Sequence, residues 1–175
     1  MRKDKLTPAQ RGTATHRFMQ FADYEKATIS VATELERLVN DGMLTEAEAN
    51  AVDVKAISGF FESALAKRIL KAEKVFKEYE FTFGIPVREL YPDVPEDVAK
   101  DEKIIIEGVA DCAFIENGNL IIVDYKTDRV TSGEELKALY GSQLGIYRRC
   151  LEEGIGLPVS HTLIYSFRLG ENDEL

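Results

Sequence analysis

Apolar residues recur along this chain with two different periods, and the period changes near residue 75. Before that point the spacing is helical. Thr7 followed by Pro8 is a helix start, because threonine can accept from the first turn and proline needs no donor there. The helix runs to about Phe21 and sets His16 and Gln20 one turn apart. A second helix is expected from about Ser30 to Leu38, stopping near Asn40-Asp41-Gly42. Thr45-Glu46-Ala47-Glu48 is a capping box and opens a short helix. Ile57, Phe60, Phe61, Ala64, Leu65 and Ile69 then predict one longer helix over about Asp53–Ala72, weakened at Gly59.

Beyond residue 75 the alternation has period two. Tyr79, Phe81, Phe83 and Ile85 interleave with Glu78, Glu80, Thr82 and Gly84, as in a half-buried strand. Pro86 to Lys103 is rich in proline and charge, which predicts an exposed loop. Two strands follow, Glu107–Phe114 and Leu120–Asp128, joined by a tight turn at Asn117-Gly118. Leu120 to Val123 is continuously apolar, so this strand is expected to be covered on both faces. Glu134–Glu153 predicts a helix and Ser160–Leu169 a last strand. The fold class is α/β: a helical section over about residues 1–74, then a sheet with a helix over about 75–175. With no repeat and no linker, residues 1–175 are expected to form a single domain.

Composition adds little except through charge. At 175 residues with 45% hydrophobic and 30% charged, this is an ordinary globular composition. No run is long and apolar enough to span a membrane, and Met1–Gln10 holds no apolar leader core, so a cytoplasmic setting is expected. Cys112 and Cys150 are far apart and are expected to be reduced thiols. The net charge of −9 works against a nucleic-acid partner unless bound cations offset it. Lys67-Arg68 with Lys71 and Lys74, and Arg148-Arg149, are basic stretches that taken singly fit a solvated helix face. No glycine-rich phosphate loop ending in Lys-Ser or Lys-Thr occurs, so the chain has no visible means of using ATP.

The chemistry concentrates on the predicted hairpin. Asp111 lies on its first strand, and Asp124 and Lys126 on its second, two apart and on one sheet face. Two carboxylates and a lysine converging there suit metal-assisted hydrolysis of a phosphodiester: the carboxylates hold the metal, and the lysine orients or activates the attacking water. The plainer alternative is a set of strand-end charges, with Lys126 paired to Asp124 or Asp128. Asp128 shares the alternate-residue face with Lys126 and could hold it in place. Oxygen ligands suit Mg²⁺ or Mn²⁺.

Asp111 followed by Asp124-Tyr125-Lys126 across a hairpin resembles the core of the PD-(D/E)xK nucleases, which implies a restriction-endonuclease-like core, a mixed β-sheet flanked by helices. Gly12-Thr13-Ala14-Thr15-His16-Arg17-Phe18-Met19-Gln20 resembles the upstream histidine motif of the RecB-like branch, and Gln143-Leu144-Gly145-Ile146-Tyr147 its Gln-x-x-x-Tyr helix. Asp41–Glu48, Asp124–Val130 and Tyr165–Glu171 are similar to the C-terminal nuclease domain of bacterial AddA-type helicase–nuclease polypeptides. The resemblance covers nearly the whole chain. It implies His16 and the backbone carbonyl of Tyr125 as further metal ligands beside Asp111 and Asp124, with Gln143 and Tyr147 near the substrate. An imidazole in that set favours Mn²⁺ over Mg²⁺. Where AddA-like domains tend to carry Glu-x-Pro-Phe, this chain has Glu78-Tyr79-Glu80-Phe81, which leaves the choice between Glu78 and Glu80 open.

The resemblance also implies partners: DNA as single strands or unwound ends, helicase domains of a parent polypeptide from which this chain is excised, and an AddB-like partner protein. ATP would be used only by that upstream motor. AddB-type nuclease domains carry four cysteines for an iron–sulfur cluster, and two do not suffice, so no cluster is expected. Two further readings compete: a stand-alone nuclease of the Cas4 type, and a catalytically inactive nuclease fold that only binds DNA or a partner.

Overall fold

The computed structural model describes residues 6–175, with the side chains of residues 98 and 99 left aside. The first five residues of the Met1–Gln10 segment lie outside the described residues. The helical section opens with α1 (Pro8–Phe21), which Thr7 caps by accepting from the Gln10 N–H while Gln10 returns a bond to the Thr7 N–H. It continues through α2 (Tyr24–Ile29), α3 (Val31–Asn40), α4 (Glu46–Ala49), α5 (Val54–Glu62) and α6 (Ala64–Lys71). The helix expected over Asp53–Ala72 is therefore two helices. The break is at Ser63, not at Gly59: Ser63 is extended (φ −67°, ψ 160°), ends α5 and caps α6 through its hydroxyl to the Ala66 N–H.

The sheet consists of β1 (Lys74–Pro86), β2 (Lys103–Glu116), β3 (Asn119–Lys126), β4 (Val159–Ser166) and β5 (Glu171–Glu174), in that spatial order. Only β3 and β4 pair in parallel; the other neighbours are antiparallel, so the sheet is mixed. The expected loop after Pro86 contains two single helical turns, α7 (Val87–Leu90) and α8 (Glu96–Ala99). The crossover between β3 and β4 is α9 (Gly133–Ile155), capped by Ser132 and ended by Gly156 at φ 76°. Asn117 (φ 52°) and Gly118 (φ 72°) both turn left-handed, as a tight hairpin needs. The edge strand β5 is not foreshadowed by any apolar pattern; a left-handed Gly170 folds it back onto β4.

Two cores sandwich the sheet. Phe18, Leu38, Phe60, Phe61 and Ile69 of the helical section pack on Phe114, Ile121, Val123, Tyr125 and Tyr165. On the other face Leu151 of α9 packs on Ala113, Leu120, Ile122 and Val159, and Leu136 and Leu144 pack on Val130 and Ile164. Leu120 to Val123 are thus buried from both sides, as their unbroken apolar run requires. Among the described residues no helix is long and apolar enough to cross a membrane.

Candidate metal and nucleolytic site

The site lies where the sheet forks. The β2–β3 ladder runs from Glu116↔Asn119 to Cys112↔Val123, which would bring Asp111 opposite Asp124 next. There a side chain replaces the backbone: Asp111 Oδ2 accepts the Tyr125 N–H at 2.7 Å. Beyond that point β2 pairs only with β1, while Asp124, Tyr125 and Lys126 stay paired with Ile164, Tyr165 and Ser166 of β4. Asp111, Asp124 and Lys126 stand in the angle between the two halves.

The β1–β2 pair is irregular at the same level. Its register is continuous from Lys77↔Cys112 to Tyr79↔Ala110, which sets Glu78 across from Asp111. Yet Phe76 and Tyr79 pack in one cluster, as do Ala110 and Ala113, although residues three apart in a regular strand face opposite ways. Both strands therefore turn over at this level, and Glu78 carries the turn with a left-handed φ of 47°. Such a backbone is costly for a residue with a Cβ and tends to mark functional sites. It directs the Glu78 carboxylate toward Asp111, whereas Glu80 is exposed.

His16 reaches this point from α1. Ala14, Thr15, Phe18 and Met19 seat the helix in the core, leaving His16 half-buried at the fork. Gly12 allows the close approach, since a Cβ there would lie 3.0 Å from Thr127 Oγ1. His16 Nδ1 is 3.2 Å from Asp111 Oδ1 and 3.8 Å from Glu78 Oε1. The three residues each offer a ligand atom within 4.8 Å of the others. Burial alone would lower the imidazole pKa, but hydrogen bonds and charges from Asp111 and Glu78 outweigh it and raise it to about 10. A divalent cation held by the same atoms would displace that proton.

Asp124 is buried with its Oδ2 lacking a hydrogen bond. Lys126 Nζ lies 2.8 Å from that oxygen, near in distance without the alignment of a hydrogen bond. Burial first, and then the facing Asp111 charge, push the Asp124 carboxyl up to about 6 despite Lys126. Burial lowers Lys126, but the Asp124 charge outweighs it and holds the ammonium above its ordinary value. A buried oxygen without a hydrogen bond, facing two further carboxylates and an imidazole, is a donor set that fits a divalent cation.

The other expected residues are placed as follows. Gln143 and Tyr147 share one face of α9 and are joined by a bond from Gln143 Nε2 to Tyr147 Oη (3.2 Å). Tyr147 packs edge-on against Phe81 at 4.9 Å and lies over Gly108, where a Cβ would meet both rings. Asp128 does not hold Lys126: β3 ends at Lys126, the alternation ends with it, and Asp128 is exposed beside Tyr140. Lys126 instead lies under Tyr140, its Nζ 4.0 Å from the ring centroid. Tyr140 is not marked as a candidate by the sequence, where its only sign is a spacing of three and seven residues before Gln143 and Tyr147 on one helix face. Glu78 shows its closeness to His16 and Asp111 only once the strands are in register.

A sequence profile described as the PD-(D/E)XK nuclease superfamily matches residues 2–171. This chain belongs to that superfamily. Its members depend on divalent metal ions, in keeping with the donor set at the fork. The chain is 37% identical over 175 residues to one component of the ATP-dependent helicase/nuclease of Ruminiclostridium cellulolyticum, covering 99% of this chain and 14% of that protein. It is 38% identical over 164 residues to the protein of the same name from Clostridium kluyveri, covering 93% of this chain and 13% of that one. The chain thus spans about a seventh of the length of these relatives. Among solved structures, protein VC1899 from Vibrio cholerae aligns with a TM-score of 0.40 and 15% identity, over 92% of this chain and 47% of that one. Superfamily and relatives together support a nuclease role.

Proposed function

We propose that this chain is the DNA-cutting domain of a helicase–nuclease polypeptide, hydrolysing phosphodiester bonds with Mg²⁺ or Mn²⁺. The observation that carries the reading is the fork, where Asp111 breaks the ladder to bond the Tyr125 N–H and leaves Asp124 Oδ2 without a hydrogen bond. His16, Asp111, Asp124, Glu78 and the Tyr125 carbonyl would hold the ion. The bound ion supplies Lewis-acid stabilisation of charge on the phosphate. Lys126 orients the attacking water and offsets charge as the phosphorus is attacked in line and the 3′-oxygen leaves. Gln143 and Tyr147 steady the strand from α9. The imidazole ligand favours Mn²⁺.

The names of the relatives support a finer reading. The chain would cut the 3′-terminated strand at an unwound double-strand break, fed by a motor on the same polypeptide and working beside an AddB-like partner to prepare ends for recombination. A net charge of −9 fits a domain to which DNA is delivered.

The test is cleavage of end-labelled single-stranded DNA with Mg²⁺, Mn²⁺ or EDTA, comparing wild type with Asp124→Ala and Lys126→Ala. Metal-dependent cutting lost in both variants supports the reading, and the product ladder reports polarity. Metal-independent cutting, or cutting retained by Asp124→Ala, refutes it.

A further inference from the structure

The Lys126 ammonium has two close neighbours of opposite kind. On one side is Asp124 Oδ2 at 2.8 Å, and on the other the face of the Tyr140 ring at 4.0 Å. The lysine is largely buried, so no broad hydration shell holds its head in place. From these contacts we infer that Tyr140 is a positioning residue for Lys126: its aromatic face fixes where the ammonium points. The inference rests on the nuclease reading for its consequence in turnover, and on geometry alone for the contact.

Asp124 is also a candidate cation ligand. Any share of its charge drawn to a divalent ion weakens its hold on Lys126. A ring face has no such competing claim, because it attracts the ammonium through its quadrupole and binds no hard cation. Tyr140 can therefore hold Lys126 whether or not Asp124 is occupied elsewhere. Its own place is fixed: α9 presents Tyr140 against a cluster of Val130, Leu136, Leu144 and Ile164, next to the strand that bears Lys126. The phenol oxygen lies on the side of exposed Asp128, so the ring face and not the hydroxyl meets the lysine. A ring without the hydroxyl should serve equally well, and an aliphatic side chain of similar bulk should not.

The experiment compares wild type, Tyr140→Phe, Tyr140→Leu and Lys126→Ala by two readouts. The first is kcat and KM for single-stranded DNA at saturating Mn²⁺. Tyr140→Phe should stay within about twofold of wild type. Tyr140→Leu should lose about tenfold or more in kcat with KM little changed, tenfold being ~1.4 kcal/mol of barrier. The second readout needs no turnover: the rate of reductive methylation of Lys126, followed by mass spectrometry of its peptide in EDTA and in Mn²⁺. Tyr140→Leu should raise that rate several-fold, with the larger rise in Mn²⁺, and Tyr140→Phe should not. Equal kcat in wild type and Tyr140→Leu, or equal losses in the Phe and Leu variants, overturns the proposal. If the wild type does not cut, the nuclease reading fails by itself. The labelling then still decides the positioning claim, and an unchanged Lys126 rate in Tyr140→Leu refutes it.

Discussion

Replacing Asp124 by asparagine is expected to stabilise the protein in EDTA while destroying its capacity to cut. The carboxylate is buried, faces Asp111, and has an oxygen without a hydrogen bond. A rise from the ordinary 3.8 to about 6 makes the ionised form roughly 3 kcal/mol worse in the folded than in the unfolded chain at neutral pH. This figure already contains the attraction to Lys126, which is one of the opposing contributions. Water reaching the carboxylate screens part of it, so the expected gain is about 1–3 kcal/mol. For a chain of this length that is ~3–10 °C in Tm.

The sign with pH follows from linkage. A raised folded pKa means that the folded chain binds the proton more tightly, so this group costs nothing below about 4, and its cost grows as pH rises to about 6 and is level above. The advantage of Asp124→Asn should be full at pH 7.5, fall to about a third at pH 4.5, and vanish below pH 4. Thermal unfolding in EDTA at these three values measures it. Adding Mn²⁺ should raise the wild-type Tm and leave the variant nearly unmoved. A variant no more stable than wild type at pH 7.5, or an advantage indifferent to pH, would show that Lys126 already satisfies this carboxylate and that the fork is not built around a cation.

Three other outcomes are expected. Glu34 is buried and accepts from the Asp23 N–H at 2.6 Å and from both Arg37 Nε and Nη2. Glu34→Ala should cost about 2–4 kcal/mol in urea unfolding at pH 7; because the partners hold this carboxyl below its ordinary 4.5, the loss should shrink as pH falls below that value. Glu78→Gly relieves a left-handed backbone at φ 47°; Tm should hold or rise by ~1 kcal/mol equivalent, while Mn²⁺ affinity by calorimetry falls by on the order of 10–100-fold, and unchanged affinity would remove Glu78 from the ligand set. Gly108→Ala would bring a Cβ within 2.6 Å of Phe81 and 2.8 Å of Tyr147; it should cost ~1–3 kcal/mol in chemical denaturation, and a neutral result would mean that the α9 face is not fixed against β1 and β2.

Much of this architecture is legible where one local signal decides it. The unbroken run Leu120–Val123 requires a strand covered twice, and α9 on one face and the helical section on the other supply the cover. Asn117-Gly118 requires a tight turn, and both residues are left-handed. What escapes depends on tertiary context. Ser63 could equally have continued a helix; it breaks one because α5 and α6 must both pack on the same core. The charged strand β5 has no apolar pattern and exists only because Gly170 returns the chain along β4. At the site, Asp124 and Lys126 are tied by their spacing of two. His16 and Glu78 come from elements remote in sequence, and neither period nor propensity could set their distance to Asp111. Tyr140 is hidden because a tyrosine on an amphipathic helix is usually core, and only the Lys126 contact distinguishes it.

The fork collects several costs at one level of the sheet. The β2–β3 ladder ends early, Glu78 holds a disfavoured backbone, and Asp124 Oδ2 is buried without a hydrogen bond. None of these helps folding, and each brings a donor atom toward Asp111 or Asp124. The offset lies directly beneath. Tyr125, between Asp124 and Lys126, points to the opposite face and is fully buried among Phe60 (5.5 Å), Phe167 (5.6 Å) and the Tyr24 hydroxyl (3.4 Å). Its backbone N–H is the one that Asp111 holds. One residue thus anchors the strand in the aromatic core and locks the first carboxylate in the open ladder. The alternation of a strand makes this possible, since the same three residues can bury their middle member for stability and turn the outer two toward the chemistry.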